Sequence, residues 1–326
     1  MLPDSVYDLT SLISRQATGD DEQKSPVLIK VFIAFHLVGL FGTLLMLLTL
    51  WLSRSTTPRH STWFSFAFSW IISTVSYTLL FWGGRLSGPE PEYTLCLIQG
   101  ILIYAASPLT AATTLALVIQ IWFLVRSVVT ATPSNKSGRT PPLVTAVLLV
   151  VPYIFFISIV VGTLVIGWQD PRTVRRVGSG MYCSFRNKVP GRLSTILVAS
   201  IMIPAVVLEV LICRSLRRQW TLFLHQKDSL PMILRVVLFT FFGIVAVALS
   251  LLFFVKVHHG SELNIVISTL PIAAVVIFGT QPDLIRTWIF WKKRPQTVIM
   301  VPGKLKGDST PILPVENRFI ILDIHA

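Results

Sequence analysis

The chain has 326 residues, of which 53% are hydrophobic and only 13% charged, about half the charged share of an average soluble domain. The apolar residues are gathered into long blocks, which argues against a water-soluble globule, a disordered chain or a disulfide-built scaffold, because water does not tolerate that much contiguous apolar surface. The net charge of +13 lies in short connectors between the blocks, with no basic helix interleaved with aromatics, so it reads as membrane-flanking charge and not as a nucleic-acid-binding face.

A helix that crosses a bilayer needs about 20 mostly apolar residues, since roughly 30 Å of hydrocarbon is covered at 1.5 Å per residue. Seven blocks meet that length, at residues 27–52, 63–82, 95–125, 143–167, 193–213, 232–255 and 263–290. They read as helices, because barrel strands are about half as long and alternate in polarity. The expected fold is therefore all-α, an integral membrane seven-helix bundle.

Residues 1–26 are polar and lack the apolar core of a cleavable signal peptide, so the first span is expected to be its own insertion signal. That span carries His36 mid-way. Ser55-Thr56-Thr57-Pro58 breaks the chain before the second span, where Ser65, Ser69 and Ser73 recur every four residues and read as a packing seam. Gly83-Gly84 and Ser87-Gly88-Pro89 precede the third span, the longest, which has to tilt or protrude. Its polar residues Gln99, Tyr104, Ser107, Thr110 and Thr113 are candidate lining of a ligand cavity; Ala105, Ala106, Ala111 and Ala112 fit plain close packing equally. Pro108, Pro152, Pro204, Pro271 and Pro282 fall within spans, where each frees a backbone carbonyl and bends its helix.

Lysine and arginine bias sets the orientation. The odd connectors plus the tail 291–326 hold 15 basic residues and the opposite side 10, six of them in the single loop 168–192 (Arg172, Arg175, Arg176, Arg186, Lys188 and Arg192). The N-terminus is thus expected outside and the C-terminus in the cytoplasm. That basic loop reads as solvated charge near lipid headgroups or as a means of steering an anionic ligand. Cys96 opens the third span and Cys183 lies in the same loop, both on the face expected to be oxidising, where a disulfide persists; two free thiols are the alternative. Cys213 ends the fifth span on the other face.

Ionisable residues inside spans are costly and usually functional. Glu209, Arg235, Asp283 and Arg286 should share one depth near the cytoplasmic face, and a latch joining helices five, six and seven is one reading of them. In the other reading, Asp283 and Arg286 satisfy each other at i, i+3 while Glu209 snorkels to the interface. Trp288 and Trp291, followed by Lys292-Lys293-Arg294, form an interfacial anchor ahead of the proline-bearing tail. The one sequon, Asn135-Lys136-Ser137, falls in an inner connector and is expected to stay unglycosylated.

Seven helices, an outer N-terminus and a cysteine at the outer end of the third helix facing a second in the following outer loop resemble the G protein-coupled receptors. Leu95-Cys96-Leu97-Ile98-Gln99-Gly100 and Phe278-Gly279-Thr280-Gln281-Pro282-Asp283 are similar to stretches of the seven-helix receptor-like proteins of fungi, of the basidiomycete kind. The best-known receptor class has Asp-Arg-Tyr where this chain has Ile121-Trp122-Phe123-Leu124-Val125-Arg126, and Asn-Pro-x-x-Tyr where it has Gln281-Pro282-Asp283-Leu284-Ile285. The resemblance implies a plasma-membrane receptor that passes the signal of a small-molecule or peptide ligand to a heterotrimeric G protein, with no cofactor.

Enzyme signatures such as His-Glu-x-x-His, a phosphate-binding glycine loop or Gly-x-Ser-x-Gly are missing, and the six histidines show no metal-ligand spacing. The expectation is a non-enzyme without a metal site. A transporter, a channel or a non-signalling multi-pass protein is the alternative, weakened by the scarcity of charge at mid-depth and by the lack of an internal repeat.

Overall fold

The computed structural model describes residues 26–52, 61–129, 141–177, 179–218 and 261–280, and seven separate positions between Val237 and Ala248. Six helices occur among them: α1 (Pro26–Leu52), α2 (Ser61–Trp82), α3 (Tyr93–Val129), α4 (Pro142–Gln169), α5 (Lys188–Arg218) and α6 (Ser261–Gly279). A short 3-10 turn, Pro171–Thr173, leads into a two-stranded antiparallel hairpin, β1 (Val174–Arg176) and β2 (Cys183–Phe185). Helices α1 to α5 are each long and apolar enough to cross a membrane, and the apolar stretch of α6, Asn264–Gly279, is shorter. The chain is a multi-pass membrane protein.

The sixth expected span, 232–255, falls mostly outside the described residues, although the seven positions described there are helical. The seventh is described only as far as Thr280. Boundaries differ from those expected by more than two residues in α3 and α5, the latter running from Lys188 to Arg218 against 193–213. α3 starts at Tyr93 and runs on to Val129. α5 starts at Lys188 and not at 193 because Asn187 caps it: the Asn187 Oδ1 accepts the Val189 N–H at 3.0 Å, and Pro190 needs no partner for its nitrogen in the first turn. The basic loop is shorter by that turn.

Helix ends elsewhere follow local chemistry. Gly84 sits at φ 64, a left-handed conformation that glycine adopts without penalty, and ends α2. The Arg85 N–H then reaches the Leu80 carbonyl at 3.0 Å and the Gly84 N–H that of Phe81 at 3.1 Å, so two terminal carbonyls are satisfied. α4 opens with Pro142 at its first position, behind an extended Pro141.

α3 is the central pillar, packed against α2, α4, α5 and the hairpin, while α1 lies between α2 and α6. Only 6% of the most apolar window of α4 is buried within the protein, against 61% for α2 and for α3. α4 therefore turns Leu143, Val147, Ile154, Phe155, Ile157 and Val161 outward, which lipid permits and water would not.

The apolar core has two ends. Trp63, Phe66, Leu117, Ile121, Ile212 and Phe278 fill the end away from the hairpin. Phe32, Ile33 and Met181 fill the hairpin end. Buried short polar side chains on α2, among them Thr74, Ser76 and Thr78, bond to their own helix backbone, which spares those hydroxyls an unsatisfied position in the bundle. α1 and α6 meet along glycine: a Cβ at Gly39 would collide with Pro271, and one at Gly42 would come within 2.6 Å of the Val275 Cγ1.

Candidate functional site

The hairpin is the one irregular element among the described residues that reaches into the bundle. Its register pairs Val174 with Phe185, Arg175 with Ser184 and Arg176 with Cys183. Alternation along a strand sends Cys183 and Phe185 to the same side, and both are buried. The connecting turn closes through Val177 N–H to Tyr182 O at 3.0 Å and Gly180 N–H to Val177 O at 2.9 Å, with Gly180 at φ 75.

Four attachments hold β2. Cys183 is disulfide-bonded to Cys96, with the Cα atoms 5.2 Å apart. One turn along α3, the Gln99 Oε1 accepts the Cys183 N–H at 2.9 Å, while the Gln99 Nε2 donates to the Ser76 and Tyr77 carbonyls of α2 at 3.1 and 3.3 Å. Phe185 drops between α3 and α4, its ring 3.1 Å from where a Cβ on Gly100, or one on Gly167, would sit. The Tyr104 and Ser184 hydroxyls share a hydrogen bond of 2.6 Å.

On the other flank the turn acts as a plug. Met181 is fully buried against Phe32, Ile33 and their neighbours. Tyr182 stacks on Phe32 with centroids 6.0 Å apart, meets Tyr77 edge-on at 5.7 Å, and donates its hydroxyl to the Asn264 Oδ1 of α6 at 3.0 Å. His36 completes this ring cluster 4.8 Å from Tyr77, with its Nδ1 2.9 Å from the Phe32 carbonyl. Arg176 straps the connector after α2, donating to the carbonyls of Arg85 at 2.7 Å, Pro89 at 3.2 Å and Gly88 at 3.4 Å. Arg172, Arg175, Arg186 and Arg192 stay exposed on this end.

Gln99 and Thr113 are fully buried at helix joints, Thr113 sharing a 2.8 Å hydrogen bond with Ser69 of α2. Tyr104, Ser107 and Thr110 are half-buried and follow one another every three residues along α3. The seam residues Ser65, Ser69 and Ser73 are all buried, Ser65 toward Tyr153 of α4 and Ser69 toward α3. Glu209 is buried on α5 with its carboxyl facing the Thr240 hydroxyl, and its Oε1 has no hydrogen-bond partner among the described residues. The other latch residues, Arg235, Asp283 and Arg286, and the anchor residues Trp288, Trp291, Lys292, Lys293 and Arg294, lie outside the described residues, as does the Asn135 sequon. No group of three or more metal-ligating side chains occurs among the described residues.

Sequence reasoning missed Met181, Tyr182, Phe185, Asn264 and Tyr153. Phe185 carried a usable signal, lying two residues from Cys183 and hence on the same face of any strand. Gly39-x-x-Gly42 within an apolar span carried another. Nothing local marks Asn264 as a partner of Tyr182. No protein-family model matches the chain, and no curated protein matches it.

Proposed function

We propose that the chain is a seven-helix receptor of the G protein-coupled kind, similar to the receptor-like proteins of fungi, acting at the plasma membrane. Residues 1–26 and the hairpin face the exterior, 27–290 form the transmembrane domain, and the tail 291–326 is cytoplasmic. The observation that carries this reading is the Cys96–Cys183 disulfide, which ties the end of the central helix to the connector after α4. Such a bond persists where thiols are oxidised, which favours the exterior for the hairpin end. It agrees with the basic-residue bias, which makes the opposite end cytoplasmic.

In this reading, ligand meets the half-buried face of α3 that carries Tyr104, Ser107 and Thr110, directly beneath the Tyr104–Ser184 contact with the hairpin. Movement of the hairpin would then pull on α3 itself, and α3 touches most of its neighbours. At the other end, Glu209 and Thr240 bring α5 beside the sixth span. Glu209 is then one member of the switch that a cytoplasmic G protein reads; Arg235, Asp283 and Arg286, the partners expected from the sequence, lie outside the described residues.

The test is full-length protein in cells carrying a second-messenger reporter, screened against small molecules and peptides, with Tyr104→Phe and Cys96→Ala beside it. A ligand response that Tyr104→Phe weakens and Cys96→Ala abolishes supports the receptor. Ligand-independent solute uptake into vesicles holding the purified protein would replace it with a transporter.

A further inference from the structure

The hairpin ladder pairs Arg175 with Ser184 and runs one residue further, where the Arg186 N–H reaches the Thr173 carbonyl at 2.6 Å. Side chains alternate along a strand, so Arg175, Ser184 and Arg186 share the face opposite the buried Cys183 and Phe185. On that face the Ser184 hydroxyl meets the Tyr104 hydroxyl of α3. Arg175 stands directly across from Ser184, and Arg186 lies two residues beyond it. The two arginines are therefore diagonal cross-strand neighbours, about 7–8 Å apart and within reach of long side chains. The Tyr104 ring also borders α5, where a Cβ on Gly191 would come within 3.4 Å of it, and Arg192 is the next residue. Arg175 and Arg186 are exposed, and neither guanidinium has a hydrogen-bond or ion-pair partner among the described residues. Asp170, the acid at the start of this connector, accepts instead from the Arg172 backbone N–H.

We infer that the Ser184 face of the hairpin binds the oxyanion, carboxylate or phosphate, of a small soluble ligand. Like charges placed together on one strand face repel, and the hairpin keeps this pair without an acid beside it. An oxyanion between them removes that cost. Each guanidinium presents a planar fork of N–H donors that matches a carboxylate or phosphate edge, so two of them can take one group from two sides. Arg192 adds to the positive potential that gathers an anion from water. The face stands over α3, the central pillar, so an anion held there has its remaining atoms beside the row of Tyr104, Ser107 and Thr110. The inference rests on the reading of that row as the ligand-facing surface of a receptor, and it gives the ligand its charge.

The experiment places the full chain in nanodiscs of phosphatidylcholine alone and treats it with phenylglyoxal, an arginine-selective reagent, counting modified residues by mass spectrometry. Inorganic phosphate is the probe, set against sodium chloride at the same ionic strength. Phosphate is expected to slow the modification of Arg175 and Arg186 and to leave the exposed Arg217 and Arg218 at the other end of the bundle unaffected. Arg186→Gln should raise the phosphate concentration that half-protects Arg175 about ten-fold, the equivalent of one charge-assisted hydrogen bond, and Arg175→Gln should do the same for Arg186. Neither change should move the thermal midpoint, since both side chains are exposed. Equal protection by chloride overturns the proposal, as does protection of Arg175 that Arg186→Gln leaves undiminished. So does protection that appears only when phosphatidylglycerol replaces part of the phosphatidylcholine, because the arginines then hold lipid headgroups. The assay reads binding and not signalling: failed protection removes the oxyanion site and leaves the receptor reading standing, whereas protection in a protein that gives no second-messenger response removes the receptor reading alone.

Discussion

Gln99 and Cys183 are joined by a hydrogen bond of 2.9 Å one helical turn from the disulfide that already links Cys183 to Cys96. The covalent bond sets how far the hairpin can travel, and the amide sets where it rests, because the same Gln99 side chain is also anchored to two carbonyls of α2. Replacing Gln99 with Leu keeps the bulk but leaves the buried Cys183 N–H without an acceptor. A loss of about 1–3 kcal/mol is expected, with the disulfide intact. Thermal melting of the purified protein, beside a thiol count under denaturing conditions, checks both halves.

The disulfide spans 87 residues of sequence, a loop whose closure in a free chain would be worth about 4–5 kcal/mol. In a bilayer the unfolded reference keeps α3 and α4 inserted, so the connector has far less freedom to lose. Cys96→Ala paired with Cys183→Ala should therefore cost nearer 2 kcal/mol. Both sulfurs are buried under the hairpin. A membrane-impermeant reductant should leave them paired in the folded protein and open them only after denaturation; rapid reduction in the native state would contradict the packing.

Phe185 fills the cleft that Gly100 and Gly167 leave between α3 and α4. Truncation to Ala empties that cleft and should cost about 3–5 kcal/mol, the largest loss of any single change in the hairpin. Gly167→Leu should lower the melting temperature by a different route, as the new side chain meets both Leu97 and Phe185. Combining it with Phe185→Ala should recover part of the loss, and strict additivity in that double mutant would rule out their contact.

The α1–α6 joint gives a fourth expectation. With Val275 so close to Gly42, Gly42→Val has to push the helices apart and should destabilise by about 1–3 kcal/mol. Gly162→Ala, where nothing lies within 4 Å, should be neutral within about 0.5 kcal/mol. Urea or thermal titration in one detergent, side by side, separates them.

A double-mutant cycle of Ser69→Ala and Thr113→Val measures the α2–α3 joint. Interhelical hydrogen bonds in membranes couple by only about 0.6 kcal/mol, because each hydroxyl also bonds its own backbone, as Ser69 does to the Phe66 carbonyl and Thr113 to that of Leu109. A coupling above about 2 kcal/mol would mean that the pair supports more than this joint.

The membrane-spanning character of α1 to α5 was legible in the residues because it depends on local quantities: apolar length, the breakers at Gly83-Gly84 and Pro141-Pro142, and the charges that flank each block. Cys96 and Cys183 could be matched for the same reason, one opening the third block and the other in the connector after the fourth, on one expected face. Three-dimensional packing alone decided which polar residues of α3 serve as joints. Gln99 and Tyr104 look equivalent along the chain, yet the approach of Cys183 and the α2 carbonyls buries one while the other stays half-open beneath Ser184. In lipid the apolar pattern runs all round a helix, so periodicity cannot say which side faces a neighbour; that choice rests on contacts such as Gly42 with Val275 and Phe185 with Gly167, made between residues far apart in the chain.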